Sequence, residues 1–216
     1  MTTLVTGATG LLGNNVVRLL LTRGKSARVL VRESADPRPL EGLDVETVRG
    51  DVRDAAAVRR ACDRMDVVIH AAGLVHVGWS QADLHQAINV DGTRNVADGA
   101  GIAGARMIHV SSISALAMGT RKEPADEETP IRGQVPCPYV LTKRQGEQVL
   151  LQRVADGLDA VIVNPTYMLG PWDWKPSSGR MLLAAATRFT PCVPGGGSNF
   201  CDVRDVADGI LAAVES

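Results

Sequence analysis

Tyr139 and Lys143 are the residues of this 216-residue chain whose types and spacing most directly offer chemistry. They stand four apart in a helically patterned stretch, so both side chains leave one face of a helix. A phenol with its ordinary pKa of about 10 exchanges protons poorly at neutral pH. A neighbouring ammonium stabilises the phenolate and brings that pKa down, as a general acid–base group requires. Taken alone, a Tyr-x-x-x-Lys pair reads as readily as an exposed surface pair. The chain holds only two tyrosines, however, and this one follows a serine cluster, Ser111-Ser112-Ile113-Ser114, that closes an apolar strand. A serine hydroxyl there would hold a substrate oxygen beside the phenol.

The second constellation is the turn Gly7-Ala8-Thr9-Gly10-Leu11-Leu12-Gly13. Glycine is needed where a backbone closely approaches a pyrophosphate, and a helix that starts there presents free N–H groups and partial positive charge. The spacing is G-x-x-G-x-x-G, not the G-x-G-x-x-G of the plain dinucleotide fingerprint, and a glycine triplet by itself is weak. Its place between a strand at Thr3 to Thr6 and an amphipathic helix from Leu11 makes it a dinucleotide turn. The second strand ends in Val29-Leu30-Val31-Arg32. An acidic residue at that point would bind the ribose 2′-OH of NAD, whereas the guanidinium of Arg32 suits a 2′-phosphate, so NADP(H) is favoured and NAD(H) remains open. Asp51, in Gly50-Asp51-Val52, could accept from the adenine amino group, and Ala71-Ala72-Gly73 is small enough for a cofactor to lie against.

Short apolar runs alternate with helical patterns, as in repeated βαβ units with a parallel sheet. Strands are expected at Thr3 to Thr6, Ala27 to Val31, Val45 to Val48, Val67 to His70, Arg106 to Val110 and Ala160 to Val163. Helices are expected at Leu11 to Arg23, Ala55 to Cys62, Leu84 to Gly101 and Pro138 to Val154, with Gly24 stopping the first and Pro at a permitted first turn in the last. The fold class is α/β, a doubly wound parallel Rossmann sheet with helices on both faces. Residues 1–165 form its dinucleotide-binding part, 166–199 a small, truncated substrate lobe, and 200–216 a returning helix. Two stretches break the rhythm: Gly119 to Pro138, with Pro124, Pro130, Pro136 and Pro138, and Gly170 to Asn199, with the run Gly195-Gly196-Gly197. Long loops beyond the carboxyl ends of parallel strands are where such sheets bind ligands.

Composition narrows the partners. Net charge is -1, from 23 basic and 24 acidic residues, and aromatics are 3%, so neither a basic surface nor stacking platforms suggest nucleic acid. No apolar run is long enough to span a membrane and the first residues lack a leader pattern, which makes the cytoplasm the expected address. Cys62, Cys137, Cys192 and Cys201 are scattered without metal-ligand spacing, so they read as reduced thiols and no metal site is expected.

With these pieces in place the chain resembles the extended short-chain dehydrogenase/reductase superfamily, in its NAD-dependent epimerase/dehydratase and dihydroflavonol-reductase-like branch. The resemblance rests on Thr6 to Gly13, Gly50-Asp51-Val52-Arg53-Asp54, His70-Ala71-Ala72-Gly73, and Asn89-Val90-Asp91-Gly92-Thr93-Arg94-Asn95. It continues through the serine cluster, Tyr139 and Lys143, Asn164-Pro165-Thr166, Gly170-Pro171 and Asp202-Val203-Arg204-Asp205-Val206-Ala207, all in family order. It implies that Tyr139 is the acid–base residue and that Lys143 both tunes it and binds the nicotinamide ribose. It implies Ser112 as the serine that orients the substrate oxygen, with Ser114 the competing assignment. Asn89 would position the segment behind the cofactor, and Pro165 and Thr166 would offer backbone to the carboxamide. Family members usually run longer, so part of the substrate lobe is expected to be missing.

Those implications lead to an oxidoreductase that moves hydride between a nicotinamide and a carbonyl or alcohol carbon of a small molecule, as a dihydroflavonol-reductase-like carbonyl reductase. A nucleotide-sugar epimerase or dehydratase is the alternative, and Lys175, Arg180 and Arg188 could serve its diphosphate or be plain surface charge. A non-catalytic NADP-binding sensor is a third reading, against which the intact Tyr139 and Lys143 argue. By analogy with the family, helices near 84–101 and 138–154 could pair in a homodimer.

Overall fold

The computed structural model describes residues 1–120, 122–132, 137–176, 178–188 and 197–216. Pro136, Cys192 and the Gly195-Gly196 part of the glycine run lie outside the described residues. The elements in chain order are β1 (Thr3–Thr6), α1 (Leu11–Thr22), β2 (Ala27–Val31), β3 (Glu46–Arg49), α2 (Ala55–Cys62) and β4 (Val67–His70). Then come α3 (Ala82–His85), a π-helical turn (Gln86–Asp91), α4 (Gly92–Ala103), β5 (Arg106–Val110), α5 (Pro138–Ala155) and β6 (Ala160–Val163). The last part holds β7 (Tyr167–Leu169), α6 (Gly179–Thr187), β8 (Phe200–Asp202) and α7 (Val203–Glu215).

Six strands form one parallel sheet in the order β3-β2-β1-β4-β5-β6, with Thr3 opposite both Ala27 and Val67. This is the doubly wound order in which the strand direction of travel reverses at β1, opening a crevice above its carboxyl end. β1 and β4 are buried at every residue, which is why they read as unbroken apolar runs without alternation. α1 and α7 cover one face, packing Val16, Val17 and Leu20 against Ile210 and Leu211 on Val5, Val29 and Ile108. On the other face Val58, Val96, Ala100 and Leu150 pack on Leu4, Val68 and Met107.

Six strands and three helices, α1, α2 and α5, lie where periodicity puts them, to within a residue. The stretch expected as one helix from Leu84 to Gly101 is instead two helices separated by the π-helical turn. Its extra residue per turn brings the Asn89 carbonyl to within 2.6 Å of where a Cβ on Gly146 would stand, so α5 needs glycine there. The parallel pair β7–β8, with Tyr167 opposite Phe200, was not expected. A concavity of about 690 Å³ opens at the opposite, amino ends of the strands, between Thr3, Ala27, Arg28 and Glu46, away from every residue that could do chemistry.

Candidate active site

The glycine turn is built by three backbone approaches. Gly7 has φ +73°, and a Cβ there would stand 2.6 Å from the Ala71 carbonyl and the Ala72 nitrogen. A Cβ on Gly13 would collide with the Gly7 carbonyl. Gly10 closes the turn by donating its N–H to that carbonyl at 2.9 Å. Buried Asn14 holds the turn from below, donating to the carbonyls of Ala8 (3.1 Å) and Pro39 (2.7 Å). The N-cap Gly10 has no side chain to satisfy the amides of the first turn, which contains no acidic residue. Those amides of Leu11, Leu12 and Gly13, lacking intrahelical acceptors, suit an anion. This cradle, which a Cβ at position 7 or 13 would fill, fits a dinucleotide pyrophosphate.

The remaining expected cofactor contacts are placed as follows. Arg32 is exposed directly beyond the carboxyl end of β2. Asp51 is engaged by its neighbour: Arg53 donates Nε to Oδ1 at 3.0 Å and a terminal nitrogen to Oδ2 at 2.9 Å, and holds the carboxyl below its usual range. Val52 is buried against Gly92, and its carbonyl accepts from Asn95 at 2.9 Å. A Cβ on Gly73 would lie 3.8 Å from Lys143 Nζ, so the loop after β4 reaches the lysine of α5. Thr9 is half-buried, as is Thr166, and the Pro165 carbonyl accepts from the Ile113 N–H at 3.0 Å.

Tyr139 and Lys143 sit in the first turns of α5, over the carboxyl end of β5. Burial pushes the Tyr139 pKa up, while the neighbouring Ser112 hydroxyl acts in the opposite direction. Ser114 instead donates its backbone N–H to Ser112 Oγ at 3.2 Å, capping a short 3-10 turn. Lys143 is buried and donates to the Val110 carbonyl at 2.8 Å; desolvation brings its pKa down to about 8, with Glu147 opposing. Lys143 is thus bound to strand backbone. Asn164 braces the group, donating to the Ser112 carbonyl (3.1 Å) and to Glu147 Oε1 (2.6 Å). Asn89 clamps the loop above, accepting from the Leu74 N–H at 2.8 Å and donating to the Leu74 carbonyl at 3.1 Å.

The residue pattern did not single out the buried histidines around this centre. His85 lies edge-on to the Tyr139 ring, centroids 6.2 Å apart, with Nδ1 3.2 Å from Asn89 Nδ2. His70 and His109 stack at 5.3 Å between neighbouring strands. A polar residue at the same late register of β1, β4 and β5 (Thr6, His70 and His109) was the available signal.

A doubly wound parallel sheet with a glycine cradle at its switch point, and a serine–tyrosine–lysine group over the adjoining strand ends, defines a dinucleotide-binding α/β protein. The chain belongs to the NAD dependent epimerase/dehydratase family, whose model it matches over residues 3–216. It is 37% identical over 218 residues to the sterol demethylase protein B of Methylococcus capsulatus, covering 100% of this chain and 66% of that protein. It is 33% identical over 218 residues to the 4-hydroxy-2-methyl-3-oxo-4-farnesyl-3,4-dihydroquinoline-1-oxide ketoreductase of Stigmatella aurantiaca, covering 100% of this chain and 65% of that protein. Among solved structures it superposes on the UDP-glucose 4-epimerase of Thermus thermophilus in complex with NAD with a TM-score of 0.84 at 26% identity. That match covers 100% of this chain and 75% of the epimerase. The chain therefore spans just under two thirds of the length of both curated relatives. The extended short-chain superfamily named from the motifs is the right one, and both its reductase and its epimerase branches are represented.

Proposed function

We propose that this protein is a nicotinamide-dependent oxidoreductase that interconverts a carbonyl and an alcohol on an apolar small molecule, with Tyr139 as the general acid–base. The observation that carries the reading is the gathering of Ser112, Tyr139 and buried Lys143 at the strand ends next to the glycine cradle, with Lys143 held on the Val110 carbonyl and Ser112 braced by Asn164. Residues 7–13 would hold the pyrophosphate, Arg32 a 2′-phosphate, and Lys143 with the Pro165–Thr166 backbone the nicotinamide riboside. The cofactor, when bound, supplies or accepts the hydride. Ser112 orients the substrate oxygen, and Tyr139 gives that oxygen a proton in reduction or takes it in oxidation. Burial pushes the phenol pKa up, so the free site holds Tyr139 in its protonated, proton-donating form.

Two observations support an apolar substrate over a nucleotide sugar. The loop after β4 exposes Val75, Val77 and Trp79 and the loop after β5 exposes Met118, both leaving the carboxyl ends of their strands, and α6 exposes Met181, Leu182 and Leu183. The names of the two curated relatives carry a sterol and a farnesyl-bearing ketone. The test is calorimetric titration with NADPH and with NADH, followed by turnover with a hydrophobic ketone panel and with UDP-glucose. Consumption of reduced cofactor with ketones supports the proposal. Conversion of the nucleotide sugar without net cofactor consumption would replace it with the epimerase reading.

A further inference from the structure

We propose that His70 is the central link of a directed hydrogen-bond chain that positions the cofactor-facing loop after β4 against the helix carrying Tyr139 and Lys143. The inference rests on the reading of residues 7–13 and 71–73 as the cofactor site. Four of the linked residues are deeply buried, with His70 and Thr6 0% exposed, Thr93 1% and Asn89 3%, and Ala72, where the chain starts, is half-buried. The Ala72 N–H donates to Thr6 Oγ1 at 3.3 Å. The Thr6 hydroxyl hydrogen then has His70 Nδ1, 2.7 Å away, as its acceptor. Nδ1 is therefore unprotonated, the ring hydrogen sits on Nε2, and Nε2 donates to Thr93 Oγ1 at 3.2 Å. Thr93 in turn donates to the Asn89 carbonyl at 2.8 Å. Every donor and acceptor is used once, and only one tautomer satisfies the set.

The chain joins two surfaces that the site needs in register. Its first link is the peptide against which Gly7 presses, so it fixes the wall of the phosphate turn. Its last is the π-helical turn that meets Gly146 of α5, and the side chain of the same Asn89 holds Leu74 and reaches Thr142 of α5 at 3.2 Å. His109 covers the outer face of the His70 ring, and neither of its nitrogens has a partner among the described residues. Desolvation drives the His70 pKa down to about 3, consistent with a ring that stays neutral. His70 acts through others, touching no reacting atom: it is a positioning residue, and its tautomer sets the direction of the chain.

With four histidines in the chain, long-range proton–nitrogen correlation spectra of the nitrogen-15-labelled protein can test this directly. The expected result is an Nε2–H tautomer of His70 that does not titrate around the ordinary imidazole value of about 6.5. An Nδ1–H tautomer, or an imidazolium forming near that value, would overturn the proposal. Thr93→Val keeps the shape and removes the third and fourth links. Amide exchange at Ala72, two links away, should then quicken about three- to tenfold, the worth of one net hydrogen bond, and Thr93→Ser should restore it. Unchanged Ala72 exchange in Thr93→Val would show that no coupling passes through His70. Neither readout needs cofactor, so failure of NADH and NADPH to bind would sink the cofactor reading while these measurements still decide the chain.

Discussion

Gly7→Ala is the perturbation whose cost can be worked most directly from the structure, and Gly24→Ala is its control. Both glycines have left-handed backbones, φ +73° and +68°. An alanine in that region costs about 1–2 kcal/mol, which both variants incur. Only at Gly7 is there an obstacle: the added carbon would stand 2.6 Å from the Ala71–Ala72 peptide, about 0.8 Å inside ordinary contact, whereas nothing lies within 4 Å at Gly24. Backbone cannot swing aside like a side chain, so overpacking adds about 1–3 kcal/mol. Gly24→Ala should thus lose about 1–2 kcal/mol and Gly7→Ala about 2–5 kcal/mol. In a chain of this size each kcal/mol lowers Tm by about 2–4 °C. Differential scanning fluorimetry gives the ordering, and fluorescence titration with NADH gives the functional half. Gly7→Ala moves the wall of the cradle and should weaken binding, while Gly24→Ala, at the far end of α1, should leave it unchanged. If the two variants melt together and bind cofactor alike, the close approach of the turn to β4 is not what requires glycine at position 7.

Tyr139→Phe should abolish turnover and leave cofactor affinity nearly unchanged, since only the hydroxyl is lost; retained activity in a stopped-flow assay would remove Tyr139 from the acid–base role. Arg32→Asp should shift the NADPH-to-NADH affinity ratio about tenfold toward NADH by calorimetry, and an unaltered ratio would make Arg32 plain surface charge. Lys143, normal when unfolded and brought down to about 8 when folded, opposes folding fully below pH 8, and that penalty fades as pH rises toward the unfolded value. Lys143→Met should therefore stabilise the protein at pH 7 by up to about 3 kcal/mol less the lost Val110 bond, and by much less near pH 10, while losing activity; equal effects at both pH values would contradict a buried ammonium. His70 and His109 both have lowered pKa values through burial, so stability present above the unfolded value should be lost as pH falls below about 6.5. Each contributes about 1.4 kcal/mol per pH unit, measured by urea melts across that range.

The parts of this molecule legible from sequence are those fixed by local rules. β1, β4 and β5 are short apolar runs between turns, and Gly7 to Gly13 carries its own steric logic, so both could be placed by reading along the chain. The π-helical turn was invisible because Gln86 to Asp91 has ordinary helical composition and the extra residue answers to Gly146 of α5, more than fifty positions away. β7 and β8 are each three residues long and find each other across the intervening α6, so neither carries a pattern of its own. Tyr139, Ser112 and Lys143 were legible as types and spacing. What the sequence could not convey is that Lys143 is tied to the Val110 carbonyl and that burial pushes the phenol pKa up. The histidines escaped for a similar reason: each looks isolated until the sheet register sets Thr6, His70 and His109 side by side.

The packing of α7 on α1 has a consequence for how the protein is made. Leu20 and Val17 of the helix that begins the phosphate turn are covered by Ile210, Leu211 and Val214, and ion pairs Arg23–Asp208 and Lys25–Glu215 fasten the same two helices. The turn leaves the ribosome before its cover, which follows nearly two hundred residues later. At a synthesis rate of about 5–20 residues per second, the apolar side of α1 waits on the order of ten seconds or more without its partner. Parallel sheets already fold slowly because their pairings are distant in sequence. The nascent chain therefore presents a sticky helix throughout that interval, the window in which a chaperone would engage it.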